Sequence, residues 1–166
     1  MTTSHHVLIT GAARGIGAAI AHTLAQAGMH VSLLGRNASV LQTLAETLPG
    51  EGRKQVVSAD VSDATAMQHA VQSAVQTLGP LHVLVNNAGQ AVSASIDQTD
   101  PALWQQMLAV NLSGVYHGIH AALPSLRSTA TAQDPARIIN IASTAGLQGY
   151  PHVSAYVAAK HGVVGL

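Results

Sequence analysis

Val7-Leu8-Ile9-Thr10-Gly11-Ala12-Ala13-Arg14-Gly15-Ile16-Gly17 opens the chain with a strand, a glycine turn and the start of a helix. Residues 7–10 form an apolar run of strand length, and 15–27 carry helical spacing stopped by Gly28. The pattern then repeats. Strands are expected over 30–34, 55–58, 81–86 and 137–142, with helices over 39–48, 64–78, from 101 towards 126, and over 153–166. Asp100 is the expected N-cap of the long helix, and Pro101 sits in its tolerated first turn. The stretch 128–135 is the most loop-like. Strands that alternate with helices argue an α/β fold, a doubly wound parallel sheet of the Rossmann-like kind, in a single domain over 1–166.

Composition excludes several function classes. The chain has no Cys, which removes disulfide frameworks and thiolate metal sites. Seven basic residues balance seven acidic ones, so no electrostatic footprint for nucleic acid exists. The stretches 15–35 and 101–126 contain no Asp, Glu, Lys or Arg, yet neither reads as a membrane span. His22, Gln26, Gly28 and His30 interrupt the first, and Gln105, Gln106, Asn111, His117 and Pro124 the second. The N-terminus lacks the basic flank and cleavage site of a signal peptide, and a cytoplasmic protein is the expectation. Ten His are scattered through the chain, and surface or core roles account for them better than a metal does, including for His117 and His120. With no Phe and 2% aromatic residues the core is aliphatic, and Trp104 and Tyr150 are the rings available for stacking.

The glycine trio is where a ligand is expected. Thr10, Gly11, Arg14, Gly15, Ile16 and Gly17 stand at the turn from first strand to first helix, where glycines let a pyrophosphate approach the backbone and helix amides point at it. The spacing Gly-x-x-x-Gly-x-Gly fits the general dinucleotide fingerprint loosely, but strand, helix and position agree. A carboxylate at the end of the second strand would accept ribose hydroxyls and repel a 2′-phosphate; Gly35-Arg36-Asn37 stand there instead. Arg36 offers a fork of donors suited to phosphate and Arg14 adds a second cation, so NADP(H) is favoured over NAD(H).

A second constellation points to a reaction. Tyr156 and Lys160 lie one turn apart on the last expected helix, and Ser143 follows the strand-like run Ile138-Ile139-Asn140-Ile141. A free phenol has a pKa of about 10 and carries protons poorly near neutrality, whereas a neighbouring ammonium stabilises the phenolate. The Ser143 hydroxyl can hold a carbonyl oxygen at the strand's carboxyl end.

Thr10-Gly-x-x-x-Gly15-x-Gly17, Asp60-Val61, Asn86-Asn87-Ala88-Gly89, Asn111, Ser143 and Tyr156-x-x-x-Lys160 together resemble the short-chain dehydrogenase/reductase family. The resemblance implies that Asp60 contacts adenine with Val61 beside it. It implies that Asn86, Asn87, Ala88 and Gly89 line the cofactor groove, with Asn87 equally able to brace the sheet. Asn111 resembles the residue that holds a water against the catalytic lysine. Tyr156 would exchange a proton with the substrate oxygen, Lys160 would assist it and bind the nicotinamide ribose, and Ser143 would orient the carbonyl. The expected function is hydride transfer between NADP(H) and a small-molecule ketone or secondary alcohol, with the run from Ser154 to Gly165 resembling members that act on 3-oxoacyl, 3-hydroxyacyl or polyketide substrates. A homodimer or homotetramer, packed through the helices from 101 and 153, is the expected assembly of the full-length form.

The chain stops at Leu166, where relatives would continue with further strands and helices. The expectation is a C-terminally incomplete family fold whose fifth strand is an exposed edge. The competing reading is a truncated, inactive nucleotide-binding or interaction module.

Overall fold

The computed structural model describes residues 5–166. Five strands, β1 (His6–Thr10), β2 (His30–Gly35), β3 (Lys54–Ser58), β4 (Val83–Asn86) and β5 (Arg137–Asn140), form one sheet in the order β3-β2-β1-β4-β5. Every pairing is parallel. The helices are α1 (Gly15–Gln26), α2 (Ala38–Thr47), α3 (Ala64–Leu78), α4 (Pro101–Leu108), α5 (Gly114–Thr129) and α6 (Ser154–Gly165). The sheet winds outward one way through β2 and β3, then returns through β4 and β5. The winding therefore reverses between β1 and β4, which is where open α/β sheets bind ligands.

Alternation along the central strands supplies a layer to each face. Val7 and Ile9 join Val31, Leu33, Ala21, Ala25 and Leu41 on one side, while Leu8 and Leu34 join Leu84, Met67, Val71 and Leu126 on the other. β1 is buried along its whole length, as a strand covered on both faces must be. β5 is the outer strand, with Ile138 40% and Ile139 44% exposed, so the expected edge is present.

Caps set the helix starts. The Asn37 side chain accepts from the Val40 N–H, Asp63 from Thr65 and Ala66, and Asp100 from Leu103. The long helix differs from expectation in one place. It runs through residues 101–129, but Ala109–Ser113 form a π turn between α4 and α5. Within that turn the Asn111 amide is buried and tied to a neighbouring loop, a tertiary contact that fixes the wider turn.

Candidate active site

The ends of β1 and β4 are stapled together at the switch point. Thr10 Oγ1 accepts the N–H groups of Asn87 and Ala88, both at 3.0 Å. Asn87 Nδ2 donates back to the carbonyls of Thr10 (3.0 Å) and Gly11 (3.1 Å). Asn87 therefore braces the sheet and lines the groove as well. The three glycines have distinct duties. Gly11, at φ 64°, lies so close to β4 that a Cβ would sit 2.7 Å from Ala88 Cα. At Gly17 a Cβ would meet the Gly11 carbonyl at 2.4 Å and Asn87 Nδ2 at 2.5 Å, so this glycine lets α1 pack on the loop. Gly15, at φ 56°, has nothing within 4 Å of a Cβ position and faces open space.

That space is a groove of about 680 Å³ over the carboxyl ends of the strands. Gly11, Arg14, Gly15, Ile16, Arg36, Asp60, Val61, Asn87, Ala88 and Gly89 all line it. Thr10, 1% exposed, Asn86, 2% exposed, and the buried Gly17 do not; they support the wall from behind, and Tyr156 and Lys160 stand beyond the groove's end rather than in its lining. Asn37, Ala59, Gln90 and Val110 line it too. All four adjoin predicted residues in sequence, a signal that adjacency alone could have given. Val110, beside Asn111, comes in through the π turn.

The groove fits a dinucleotide by its own geometry. No side chain caps α1, unlike α2 and α3, so its first-turn amides are available beside the open face of Gly15. At the far end, Asp60 accepts from the Ser62 hydroxyl at 2.7 Å and the Ser62 N–H at 2.9 Å. These two bonds, with a smaller contribution from Arg36, hold the Asp60 carboxyl below the usual carboxylate range. Arg36 approaches Asp60 only to 3.9 Å and its side chain is 74% exposed, leaving its fork of donors turned to solvent on the groove's rim. The carbonyl of Val61 is fixed by His117 Nδ1 at 2.9 Å.

The other end of the groove meets α6 at Gly89. A Cβ there would lie 2.9 Å from Asn111 Oδ1 and 3.9 Å from Lys160 Nζ, so glycine is what lets both side chains come up to the loop. Lys160 is 4% exposed, and its Nζ donates to the Ile141 carbonyl at 2.7 Å. It also stands 5.7 Å from the centroid of the half-buried Tyr156 ring. Burial pushes the Lys160 ammonium below its ordinary pKa. Ser143 caps the short 3₁₀ turn Thr144–Gly146 by accepting the Ala145 N–H at 3.1 Å, a bond that uses a lone pair and leaves the hydroxyl hydrogen to donate. Asn111 is fully buried. Its Oδ1 accepts the Gln90 N–H (3.0 Å) while its Nδ2 donates to the carbonyls of Gln90 and Met107, both at 2.9 Å. Its side chain is thus spent on the backbone beside Gly89.

Among the described residues no group of three or more His, Cys, Asp or Glu could hold a metal ion. No helix there is long and apolar enough to cross a membrane.

Known proteins share this fold. The family model described as short chain dehydrogenase matches residues 5–166. D-beta-hydroxybutyrate dehydrogenase of Rhizobium meliloti (strain 1021) is 38% identical over 162 residues, covering 96% of this chain and 61% of the relative. A rhamnolipids biosynthesis 3-oxoacyl-acyl-carrier-protein reductase of Pseudomonas aeruginosa is 36% identical over 140 residues, 84% of this chain and 55% of the relative. The crystal structure of an actinorhodin polyketide ketoreductase variant with NADPH superposes with a TM-score of 0.90 at 34% identity, covering 99% of this chain and 64% of that one. The chain spans about three fifths of the length of the curated relatives it matches. The family match itself takes in the whole described fold, and the chain belongs to the short-chain dehydrogenase family.

Proposed function

We propose that this chain is the cofactor-binding and catalytic part of an NADP(H)-dependent oxidoreductase acting on a ketone or secondary alcohol. The observation that carries the reading is the convergence at Gly89. The groove that suits a dinucleotide ends where the buried Lys160 ammonium stands beside the Tyr156 ring. The nicotinamide, when bound, supplies or accepts the hydride. The chain's residues handle the oxygen. Reduction of a ketone adds a hydride to carbon and a proton to oxygen; Tyr156 gives that proton, and the resulting phenolate is stabilised by Lys160 until solvent returns the proton. Ser143 donates a hydrogen bond to the same oxygen and orients the carbonyl. Lys160 also reaches the nicotinamide ribose, and Asn111 keeps the Gly89 to Gln90 backbone in place for it.

Arg36 and Arg14 support NADP(H) over NAD(H), since both line the groove and Arg36, though 3.9 Å from the Asp60 carboxylate, keeps most of its side chain open to solvent. A 3-oxoacyl or 3-hydroxyacyl substrate is supported by the likeness to the Pseudomonas aeruginosa reductase and the polyketide ketoreductase. Cytoplasmic location and a homodimer or homotetramer in the full-length form complete the reading; a monomer by light scattering at working concentration would remove the latter for this chain. The cofactor assignment is tested by Michaelis constants for NADPH and NADH with a panel of ketones and 3-oxoacyl thioesters. Arg36→Ala is expected to weaken NADPH about tenfold or more and leave NADH nearly unchanged, the loss of one charge-assisted contact. A clear NADH preference that survives the substitution would sink the assignment.

A further inference from the structure

The pole of the sheet opposite the groove gathers titratable rings that the proposed chemistry does not use. His6 opens β1, His30 opens β2, and His82 stands just before β4; the register places His6 level with His30. Each ring serves as a hydrogen-bond acceptor. His6 is 1% exposed and its Nδ1 donates to the Gly79 carbonyl at 2.7 Å, which leaves Nε2 to accept from the Ser32 hydroxyl at 2.8 Å. His82 Nδ1 accepts the His6 backbone N–H at 3.2 Å, and His30 Nδ1 accepts the Arg53 N–H at 2.9 Å. A carbonyl can only accept and a backbone N–H can only donate, so the partners force these tautomers. The three bonds join β1 to β2, β1 to the start of β4, and β2 to the residue before β3.

We propose that His6, His30 and His82 form an acid-sensitive clasp, in which protonation of the rings removes three acceptors together and releases the amino-terminal pole of the sheet. An imidazolium has two donors and no lone pair, so at His30 and His82 protonation sets N–H against N–H. At His6 the Ser32 hydroxyl can turn towards Gln55 Oε1, 3.4 Å away, but a buried cation is created. The surroundings do not welcome it. His30 and His82 face His6 from either side, and the Arg53 guanidinium, held by the carbonyls of Thr77 and Leu78, adds a fixed positive charge. The His5 ring stands edge-on to His82 at 4.6 Å. The Asp134 carboxylate is already engaged by His5 at 2.6 Å and lies 3.8 Å from Arg137, while Lys54 at the start of β3 turns to the Gly50 carbonyl.

Burial lowers all three rings: His6 to about 4, with His30 lowered further by Arg53 and His82 by His5, the latter partly offset by Asp134 and the Pro80 carbonyl. Folded values below the unfolded 6.5 mean that the unfolded chain binds more protons. The clasp's contribution is therefore complete above pH 6.5 and is lost as pH falls through the folded values. For His6 alone the unfolding constant rises about 30-fold between pH 8 and pH 5. The opposite end of β1 carries Thr10, so acid opening also withdraws the support of the groove.

Asparagine places its Oδ1 near where a histidine Nδ1 lies and does not titrate, so His30→Asn combined with His82→Asn keeps two acceptors while removing their protons. Urea unfolding of the 166-residue chain between pH 5 and 8 compares this double variant with the unsubstituted chain and with His22→Asn, a control on the exposed face of α1. The expected result is an unfolding constant that rises from pH 8 to pH 5 severalfold more than the about 30-fold of His6 alone, in the unsubstituted chain and in the control. In the double variant the rise falls back to about 30-fold or less, since His6 alone remains and has lost its two charged neighbours. The same pH dependence in all three overturns the proposal. If the double variant is unfolded at pH 8, imidazole proton resonances of the unsubstituted chain decide the matter. All three clasp rings titrating below 6.5 in the folded protein supports it, and an ordinary value at any of them overturns it.

Discussion

Gly15→Ala separates ligand binding from packing more sharply than any other change in the glycine loop. An alanine there would touch no protein atom, because nothing lies within 4 Å of the new methyl group, so its cost to folding is the backbone's alone. At φ 56° that cost is about 1–2 kcal/mol. The methyl group does enter the groove beside the uncapped start of α1. Displacing one charge-assisted bond between a phosphate and a backbone amide is worth about 1.5–3 kcal/mol, or at least about tenfold in Kd. Gly17→Ala is the contrasting case. Its methyl would fall 2.4 Å from the Gly11 carbonyl and 2.5 Å from Asn87 Nδ2, and overpacking of that kind costs about 1–3 kcal/mol while moving the loop. NADPH titration by fluorescence, paired with urea unfolding, reads both effects. Gly15→Ala should lose at least about tenfold in NADPH affinity with a stability loss no larger than the backbone's about 1–2 kcal/mol, whereas in Gly17→Ala the affinity loss should accompany a displaced loop and the added cost of the clash. If Gly15→Ala binds NADPH as tightly as the unsubstituted chain, the groove is not the cofactor site.

Other residues give independent tests. Asn111→Leu leaves the backbone N–H and carbonyl of Gln90 without their partner, and unfolding should become easier by about 2–4 kcal/mol in urea titration, with NADPH affinity falling as well. Lys160→Met removes a cation that burial disfavours, so it should abolish turnover while costing little stability. Because the folded pKa of Lys160 lies below its unfolded 10.5, the unsubstituted chain should gain stability as pH rises through that interval; denaturation curves of Lys160→Met should lack the gain. Gly118→Ala would drive a methyl to 2.3 Å from the buried Asn86 Oδ1, and a loss of about 1–3 kcal/mol is expected by thermal or urea unfolding.

Local patterning carried most of the fold into the sequence. The helix over 64–78 was readable to the residue because Asp63 caps it and Gly79 ends it, and both signals are local. Strand ends were less legible. β4 is two residues shorter at its start than expected, the N–H of Leu81 going to Ser125 Oγ, 44 residues away, and β5 ends at Asn140 as the chain turns towards the Ser143 loop, although the Ile141 N–H still bonds the Asn86 carbonyl. The π turn had no signal in Ala109-Val-Asn-Leu-Ser113, since what ties it down is the bond of the buried Asn111 side chain to Gln90, 21 residues away. At the site, residue types and spacing identified the groove-lining loop, but not the division of labour within it. Only packing distances show that Gly17 serves α1 and Gly15 the open face. Thr10 reads as a ligand contact in sequence and is a buried brace in the structure, because its partners lie 77 and 78 residues away. The histidine pole was equally hidden: His6 is a core residue whose partner Ser32 is 26 positions on.

Tyr156→Phe tests the central claim most directly, because it deletes one hydroxyl and leaves the ring beside Lys160. NADPH binding and NADPH oxidation with a 3-oxoacyl thioester are measured on the same samples of the unsubstituted and substituted chains. The account predicts that both bind NADPH alike, and that oxidation is measurable in the first and at least about a hundredfold slower in the second. Equal oxidation rates in the two, or loss of NADPH binding in step with turnover, would contradict the assignment of Tyr156 as the proton donor at the end of the cofactor groove.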